Sequence, residues 1–508
     1  MKLIKTEIIN TSTGKIQGYI SDGIQIFKGI PFAEPPIGDL RFKPPVKKQP
    51  WEGVLEATEF GPYAYQGFTP LEMFVQEVKE DEDCLCLNIW TPSPDDKKRP
   101  VMVWIHGGAF VTGGGANLTY DGSPLTNRGD VVVVTINYRL GALGFLYIPG
   151  VTANAGMLDQ IAALNWVQNN IEVFGGDSNN ITVFGESAGG CSILTLLAMP
   201  AAKGLFHKAI VQSAPVLQPN PTLKSTNDLM NKFGLKAGDM MALQNLKVEE
   251  IIKAQDEVLA EALEARETEI MGFRPSIDIE GGTLPIHPLK ALMKGEGKNI
   301  ELLIGCNEEE GELFSKFNPI FEKLKRENLE SEVANLLKSM NLESESSTLI
   351  QKYETARKEI LPIKPMDLLN AIWTDYIFRI SGINMAEAQI LHNSNVYFYI
   401  FTWASPQYES SCHAVEIVYA FGTLDLIESE TGLKWFYGSG PEAKIISEKM
   451  MDAWIAFARN GNPNNDNIPE WPSYETERRS TMLIGKEFKI VDAPFEKERV
   501  AWDGLLDY

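Results

Sequence analysis

The segment that most constrains this chain runs from Ile181 to Pro200. It reads Ile181-Thr-Val-Phe184, then Gly185-Glu-Ser-Ala-Gly189, then Cys191-Ser-Ile-Leu-Thr-Leu-Leu-Ala-Met199, with Pro200 next. The first piece is a short apolar run of the kind that forms strands buried on both faces. The last piece predicts a helix that Pro200 ends. Between them, G-x-S-x-G leaves room for one sharp reversal. Such a turn strains the backbone of its central residue. A side chain at 185 or 189 would crowd the neighbouring strand or helix, which gives both glycines a steric reason. The five-residue pattern alone recurs by chance in long chains. The strand before it and the helix after it give it weight. That context exposes the Ser187 hydroxyl at a helix N-terminus, where the helix dipole favours developing negative charge. Ser187 is the candidate nucleophile, and the plain alternative is a Gly-Ser turn.

The surrounding sequence extends the same architecture. Val101-Met-Val-Trp-Ile105, Val131-Val-Val-Val-Thr-Ile-Asn-Tyr138 and Lys208-Ala-Ile-Val-Gln-Ser213 are further nearly continuous apolar runs. Met157 to Ile171 reads as a helix between two of them. Strands alternating with helices predict a mostly parallel sheet covered on both faces. Beyond Ser213 the texture changes. The stretches 225–300 and 312–391 read as helical insertions, charged and helical over Ser225 to Glu267 and mostly helical over Glu312 to Leu391, with a strand at Leu302-Leu-Ile-Gly305 between them. Val396-Tyr-Phe-Tyr-Ile-Phe401 is the last strong strand of the main sheet, and Thr481-Met-Leu-Ile with Phe488-Lys-Ile-Val suggests a closing hairpin. By length, 508 residues could hold up to three domains of about 150 residues. The absence of repeats and low-complexity linkers instead favours one domain over 1–508, with helical blocks inserted over one edge of a single sheet.

Composition narrows the partners. Lys plus Arg total 46 and Asp plus Glu total 68, a formal net charge of −22. Such a surface repels phosphate backbones and anionic lipid heads, so neither nucleic acid nor membrane is expected as a partner. A small neutral or cationic substrate fits, although the charge also serves solubility. Met-Lys-Leu-Ile-Lys-Thr-Glu at the start contains no apolar core of a secretory signal. No window of about 18 uncharged apolar residues predicts a membrane span. Five cysteines, Cys84, Cys86, Cys191, Cys306 and Cys412, form an odd and sparse set. That suits a reducing cytoplasm, and the Cys84/Cys86 spacing suits neither zinc nor a redox pair.

Acyl-transfer chemistry needs N–H donors where an oxyanion forms. His106-Gly107-Gly108-Ala109-Phe110 follows the strand Val101 to Ile105 as a glycine-rich loop. Gly108, Ala109 and Ala188, the residue after Ser187, are the candidate donors. No Gly-Lys-Ser/Thr follows, so a phosphate cradle is not expected. His106 is read as shaping this loop. In chain order the acid and then the base should follow the serine. His106 and His207 come too early, His287 precedes the strand that should carry the acid, and His392 ends a helical stretch. His413, in a loop after Val396 to Phe401, is the candidate base. Glu308, Glu309 and Glu310 all qualify as the acid by position. Gly311, which permits a tight turn just beyond, gives Glu310 a modest preference.

These features together resemble the type B carboxylesterase family, which includes bacterial p-nitrobenzyl esterases and the cholinesterases. The likeness includes Phe27-Lys-Gly-Ile-Pro-Phe-Ala-Glu-Pro-Pro36, Glu82-Asp-Cys-Leu-Cys-Leu-Asn88, Tyr138-Arg-Leu-Gly-Ala-Leu-Gly-Phe145, Asn154-Ala-Gly-Met-Leu-Asp-Gln160 and Trp471-Pro-Ser-Tyr474. It covers nearly the whole chain. The resemblance implies an α/β-hydrolase fold and the triad Ser187, Glu310 and His413. It also implies an acyl-enzyme mechanism on carboxylic esters of short to medium chain, and no cofactor or metal. In the cholinesterases the cysteine at position 84 pairs with one upstream, where this chain reads Gly61-Pro-Tyr-Ala-Tyr-Gln66, so no disulfide is implied here. Their choline-binding tryptophan also has no counterpart, since only Phe68 and Phe74 are aromatic between Gln66 and Cys84. Ala109 stands where many relatives have glycine. Its methyl narrows the space beside the substrate carbonyl and predicts poor turnover of bulky tertiary-alcohol esters. Amide, carbamate or thioester cleavage shares the tetrahedral intermediate and is the neighbouring reading. Non-catalytic adhesion proteins of this fold typically lack the nucleophile that this chain keeps. A monomer or weak homo-oligomer is expected.

Overall fold

In the computed structural model, residues 3–67, 78–216, 223–236, 238–265, 272–316, 321, 324–358 and 361–506 are described. Twelve strands form the main sheet: β1 (Ile4–Lys5), β2 (Tyr19–Ser21), β3 (Ile24–Pro31), β4 (Cys86–Thr91), β5 (Arg99–Ile105), β6 (Val132–Ile136), β7 (Gly176–Glu186), β8 (Lys208–Gln212), β9 (Glu301–Asn307), β10 (Val396–Phe401), β11 (Ser480–Ile484) and β12 (Lys489–Asp492). Their order is β1-β2-β3-β4-β6-β5-β7-β8-β9-β10-β11-β12. From β6 to β11 every pairing is parallel, and β12 closes against β11 antiparallel.

The parallel centre forms where the apolar runs predict it, because those strands have core on both sides. Val101, Val103 and Ile105 of β5 face one hydrophobic cluster, whereas Met102 and Trp104 face the other. That two-sided burial is why the runs lack a polar alternate position. The antiparallel edge, β1 to β4, is a finding that the apolar runs did not predict. In β3 buried positions mix with half-buried ones, so the run reads less clearly as a strand.

Helices cover both faces. α1 (Ala155–Asn170) and α2 (Ala188–Ala198) precede and follow β7. α3 (Gly311–Lys316) follows β9, and α4 (Pro365–Thr374) and α5 (Ile380–Ile390) lie before β10. Between α4 and α5 the helix continues as one wide π turn, Asp375–Arg379. α6 (Pro441–Asn460) packs Met450, Met451 and Trp454 into the second cluster. In the first insertion, helices cover Leu223–Lys232, Met240–Gln244 and Val248–Glu264. The stretch 272–287 contains no helix, contrary to a helical reading of all of 225–300. Gly272, Pro275, Gly281, Gly282 and Pro285 interrupt it.

Chain order decides where a site can form. The chain leaves β5 for β6 and returns to the other side of β5 as β7. Ligands in open α/β sheets bind outside the carboxyl ends of strands at such a switch. His106 and Gly107 leave β5 there, and Ser187 leaves β7 beside them.

Candidate active site

Ser187 sits between the last residue of β7 and the first of α2, with φ 56° and ψ −119°. A non-glycine residue in such a region costs about 1–3 kcal/mol and persists only when its surroundings fix it. Here the Ser187 N–H donates to the Gln212 carbonyl at 2.9 Å, and its own carbonyl accepts from the Cys191 N–H at 2.8 Å. The glycines explain the fit. A Cβ on Gly185 would stand 2.6 Å from the Ile105 carbonyl oxygen, and one on Gly189 only 2.0 Å from the same atom. Between Ile181 and Gly190 only Ser187 is not fully buried.

The glycine-rich loop lies against this turn. A Cβ on Gly107 would be 3.3 Å from the Ser187 Cβ. Gly108, Ala109 and Phe110 all have positive φ, at 103°, 53° and 62°. That run turns the loop back on itself, and the Gly108 carbonyl accepts from the N–H groups of Val111 and Thr112 at 3.0 and 2.9 Å. The sequence reading of His106 agrees with its surroundings. Its ring stacks on Tyr138 with centroids 4.4 Å apart, and Nδ1 lies 2.8 Å from the Gly107 carbonyl oxygen. Burial lowers its pKa to about 4, so it is a neutral shaping residue. Ala188 is the first residue of α2, where backbone N–H groups have no partner within the helix.

His413 and Glu310 meet from loops that follow β10 and β9. His413 Nδ1 lies 2.6 Å from Glu310 Oε2, and both side chains are buried. Glu310 Oε1 accepts from the Asn307 N–H at 2.6 Å. The neighbouring glutamates have other partners. The Glu308 carbonyl accepts from Arg379, and Glu309 Oε2 accepts from the Ser411 N–H at 3.3 Å. Of the other histidines, His207 Nδ1 accepts from the Ile181 N–H, His287 caps the helix Pro288–Met293, and His392 Nε2 lies 2.8 Å from the Met293 carbonyl oxygen.

Two further carboxyls surround the imidazole, and neither stood out in the sequence. Glu186 Oε1 is 3.1 Å from His413 Nε2. Glu416, three residues past His413, accepts from Gln212 Nε2 at 3.1 Å and from Asn307 Nδ2 at 2.6 Å. Burial would make His413 harder to protonate, but the charges of Glu186 and Glu310 outweigh it and hold its pKa up at about 9. Burial also pushes the Glu186 carboxyl up, opposed by the positive charge of protonated His413, and, helped by the charge of Glu310, brings Glu416 to about 7. Signals were present: Glu186 is one of the two variable residues of G-x-S-x-G, and Glu416 lies close to His413 in sequence.

Aromatic rings flank His413. Phe378 and Phe314 have centroids 4.6 and 5.2 Å from the His413 ring, and Trp373 stacks on Phe314 at 5.6 Å. Phe314 and Trp373 are half-buried, whereas Phe378 is buried. All five cysteines are buried thiols, none of them in a disulfide. Phe68 and Phe74 lie outside the described residues.

The sheet order and the strand–turn–helix that holds a strained serine define the α/β-hydrolase fold and, within it, the serine hydrolases. The chain matches the model of the Carboxylesterase family over residues 5–502. It is 38% identical over 504 residues to the para-nitrobenzyl esterase of Bacillus subtilis (strain 168), covering 97% of this chain and 98% of that one. It is 34% identical over 497 residues to the phenmedipham hydrolase of Pseudarthrobacter oxydans, covering 96% of each. A solved PNB esterase superposes with a TM-score of 0.85 at 35% identity, covering 99% of both chains. The carboxylesterase of Geobacillus stearothermophilus gives 0.84 at 36%, covering 98% of this chain and 100% of that one. The chain belongs to the carboxylesterase family and is a serine ester hydrolase.

Proposed function

We propose that Ser187, His413 and Glu310 hydrolyse carboxylic esters as nucleophile, base and acid. Neutral His413 takes the Ser187 hydroxyl proton through Nε2 as Oγ attacks the ester carbonyl. Glu310 fixes the tautomer at Nδ1 and stabilises the imidazolium that forms. The N–H groups of Gly108, Ala109 and Ala188 hold the oxyanion. When the tetrahedral intermediate collapses, the C–O bond to the alcohol breaks and His413 returns its proton to the departing oxygen. Water, deprotonated by the same imidazole, then releases the acid and restores the Ser187 hydroxyl. The observation that carries this reading is the 2.6 Å contact between His413 and Glu310, residues 103 apart in sequence. Ser187→Ala should lower turnover of p-nitrophenyl acetate and butyrate by a factor of about 10⁶ while the fold survives. Wild-type turnover by that variant would contradict the reading.

The substrates proposed are esters of short- to medium-chain acids with an aromatic group on one side of the carbonyl. The wall of Phe378, Phe314 and Trp373 beside His413 supports the aromatic preference, as does the likeness to a para-nitrobenzyl esterase. A chain-length series of p-nitrophenyl esters, run beside ethyl esters of the same acids, tests both parts. The reaction proposed uses protein groups alone, so prolonged EDTA treatment should leave kcat unchanged.

A cytoplasmic location fits five buried thiols in no disulfide, and no helix among the described residues is long and apolar enough to cross a membrane. A monomer or weak homo-oligomer is proposed, and light scattering across a dilution series tests it.

A further inference from the structure

The wide turn between α4 and α5 touches both halves of the acid–base pair. In it the Ile380 N–H donates to the Asp375 carbonyl, five residues back. Such turns are rare, and they cluster at functional sites. The residue just before this turn, Thr374, and its last residue, Arg379, grip the chain on either side of the Glu310 position. Thr374 Oγ1 accepts from the Gly311 N–H at 3.0 Å. Arg379 Nη2 donates to the Glu308 carbonyl at 2.9 Å. Both side chains are buried. The fit on this side is close: a Cβ on Gly311 would stand 2.8 Å from the Asn370 carbonyl oxygen and 3.1 Å from the Trp373 Cβ. Within the same turn, Phe378 lies against the His413 ring.

Helical geometry explains why the turn is wide. In a 3.6-residue helix, positions five apart point about 140° away from each other around the axis. An i→i+5 turn brings them back toward one side. With the turn widened, Thr374 and Arg379 both reach the loop 308–311. Arg379 is braced in turn: Nη1 lies 3.0 Å from Asp375 Oδ1 and 3.4 Å from Glu498 Oε2, and its guanidinium stands over the Phe495 ring. Arg357 also pairs with Glu498 at 2.7 Å.

We propose that this π turn is a clamp, and that Thr374 and Arg379 are positioning residues that hold the Glu310 carboxylate against His413. The proposal rests on the reading of Glu310 and His413 as acid and base. Neither residue of the clamp touches substrate. Each acts on backbone next to the acid, so its loss should misplace the carboxylate rather than weaken substrate binding.

The test is a set of variants assayed on p-nitrophenyl butyrate. Thr374→Val keeps the shape and removes the acceptor. It should lower kcat about tenfold with KM changed less than twofold, because small misplacements of a reacting group cost rate. Thr374→Ser, which keeps the hydroxyl, should restore kcat. Arg379→Lys keeps the charge beside Asp375 and Glu498 but loses the fork that reaches the Glu308 carbonyl. It should lower kcat in the same way, and it tests the proposal independently if Thr374→Val does not fold. In a Glu310→Gln background neither variant should cost anything further, since the clamp would have nothing left to position. Wild-type kcat in folded Thr374→Val and Arg379→Lys would overturn the clamp, and so would an equal loss with and without Glu310. Full activity of Glu310→Gln alone would instead overturn the triad reading on which the clamp rests.

Discussion

The two halves of the site are built differently. The nucleophile half is local. Residues 176 to 198 supply the strand, the turn and the helix in one continuous stretch, and backbone sterics fix them: Gly185 and Gly189 leave no room for a Cβ beside β5. The acid–base half is assembled from a distance. Glu310 leaves β9, His413 leaves β10, and the turn Asp375–Arg379 reaches both through a backbone bond and a ring contact. The first half is specified by a few small residues in a row. The second depends on buried hydrogen bonds between segments far apart, so single side-chain changes there should alter rate more than fold.

The largest predicted effect breaks the distant half. Glu310→Gln should lower kcat by a factor of about 10⁴, because a neutral amide favours the wrong tautomer and does not stabilise the imidazolium. Urea melts should place its stability near wild type, and a fall in stability that accounts for the lost activity would erase the distinction between the halves. The corresponding break in the local half is Gly189→Ala. The added methyl meets the Ile105 carbonyl oxygen at 2.0 Å, and overpacking of this severity costs about 3 kcal/mol or more. Denaturant unfolding measures it. A variant as stable as wild type would show that the turn is not sterically pinned.

Two smaller effects sharpen the comparison. Ala109 holds φ 53°, a conformation that glycine adopts at lower cost. Ala109→Gly should therefore keep the loop geometry and open space beside the carbonyl. Turnover of tert-butyl esters should rise about tenfold relative to n-butyl esters, the size of discrimination a single methyl usually gives. An unchanged ratio would place the limit elsewhere. The smallest effect concerns pH. His413 must be neutral to accept the proton, and its raised pKa of about 9 leaves less of the neutral form at lower pH. The kcat/KM of the wild type should thus climb with pH above 6.5, reach half its maximum near 9 and level off only above that. Glu186→Gln removes one acidic neighbour, so the midpoint should move down. A midpoint that stays put or rises would mean that Glu186 does not act on the imidazole.

The same division governs what the sequence made legible. Ser187, the helix after it and the parallel strands could be read directly, because each depends on neighbours within a few residues. His413 followed from chain order, since the other histidines lay in the wrong places. Glu310 did not separate firmly from Glu308 and Glu309 by spacing, because all three follow one strand. Resemblance favoured Glu310, and the structure separates them by partner: His413, the Arg379 contact at the Glu308 carbonyl, and the Ser411 N–H. Arg379 was invisible because its meaning lies in partners on other elements, and the closeness of Glu416 to His413 in sequence did not reveal its partners Gln212 and Asn307. The outer strands of the antiparallel edge, β1 and β2, were missed because they are only two and three residues long and have no buried position, and β3 because buried and half-buried positions mix in it.

The account's central claim is that Ser187 carries the acyl group. Its most direct measurement is peptide mapping after labelling with diisopropyl fluorophosphate. The account predicts a single modified peptide, one that contains Ser187, with activity lost in proportion to its labelling. Loss of activity with the label on another residue, or full labelling of Ser187 with activity intact, would contradict it.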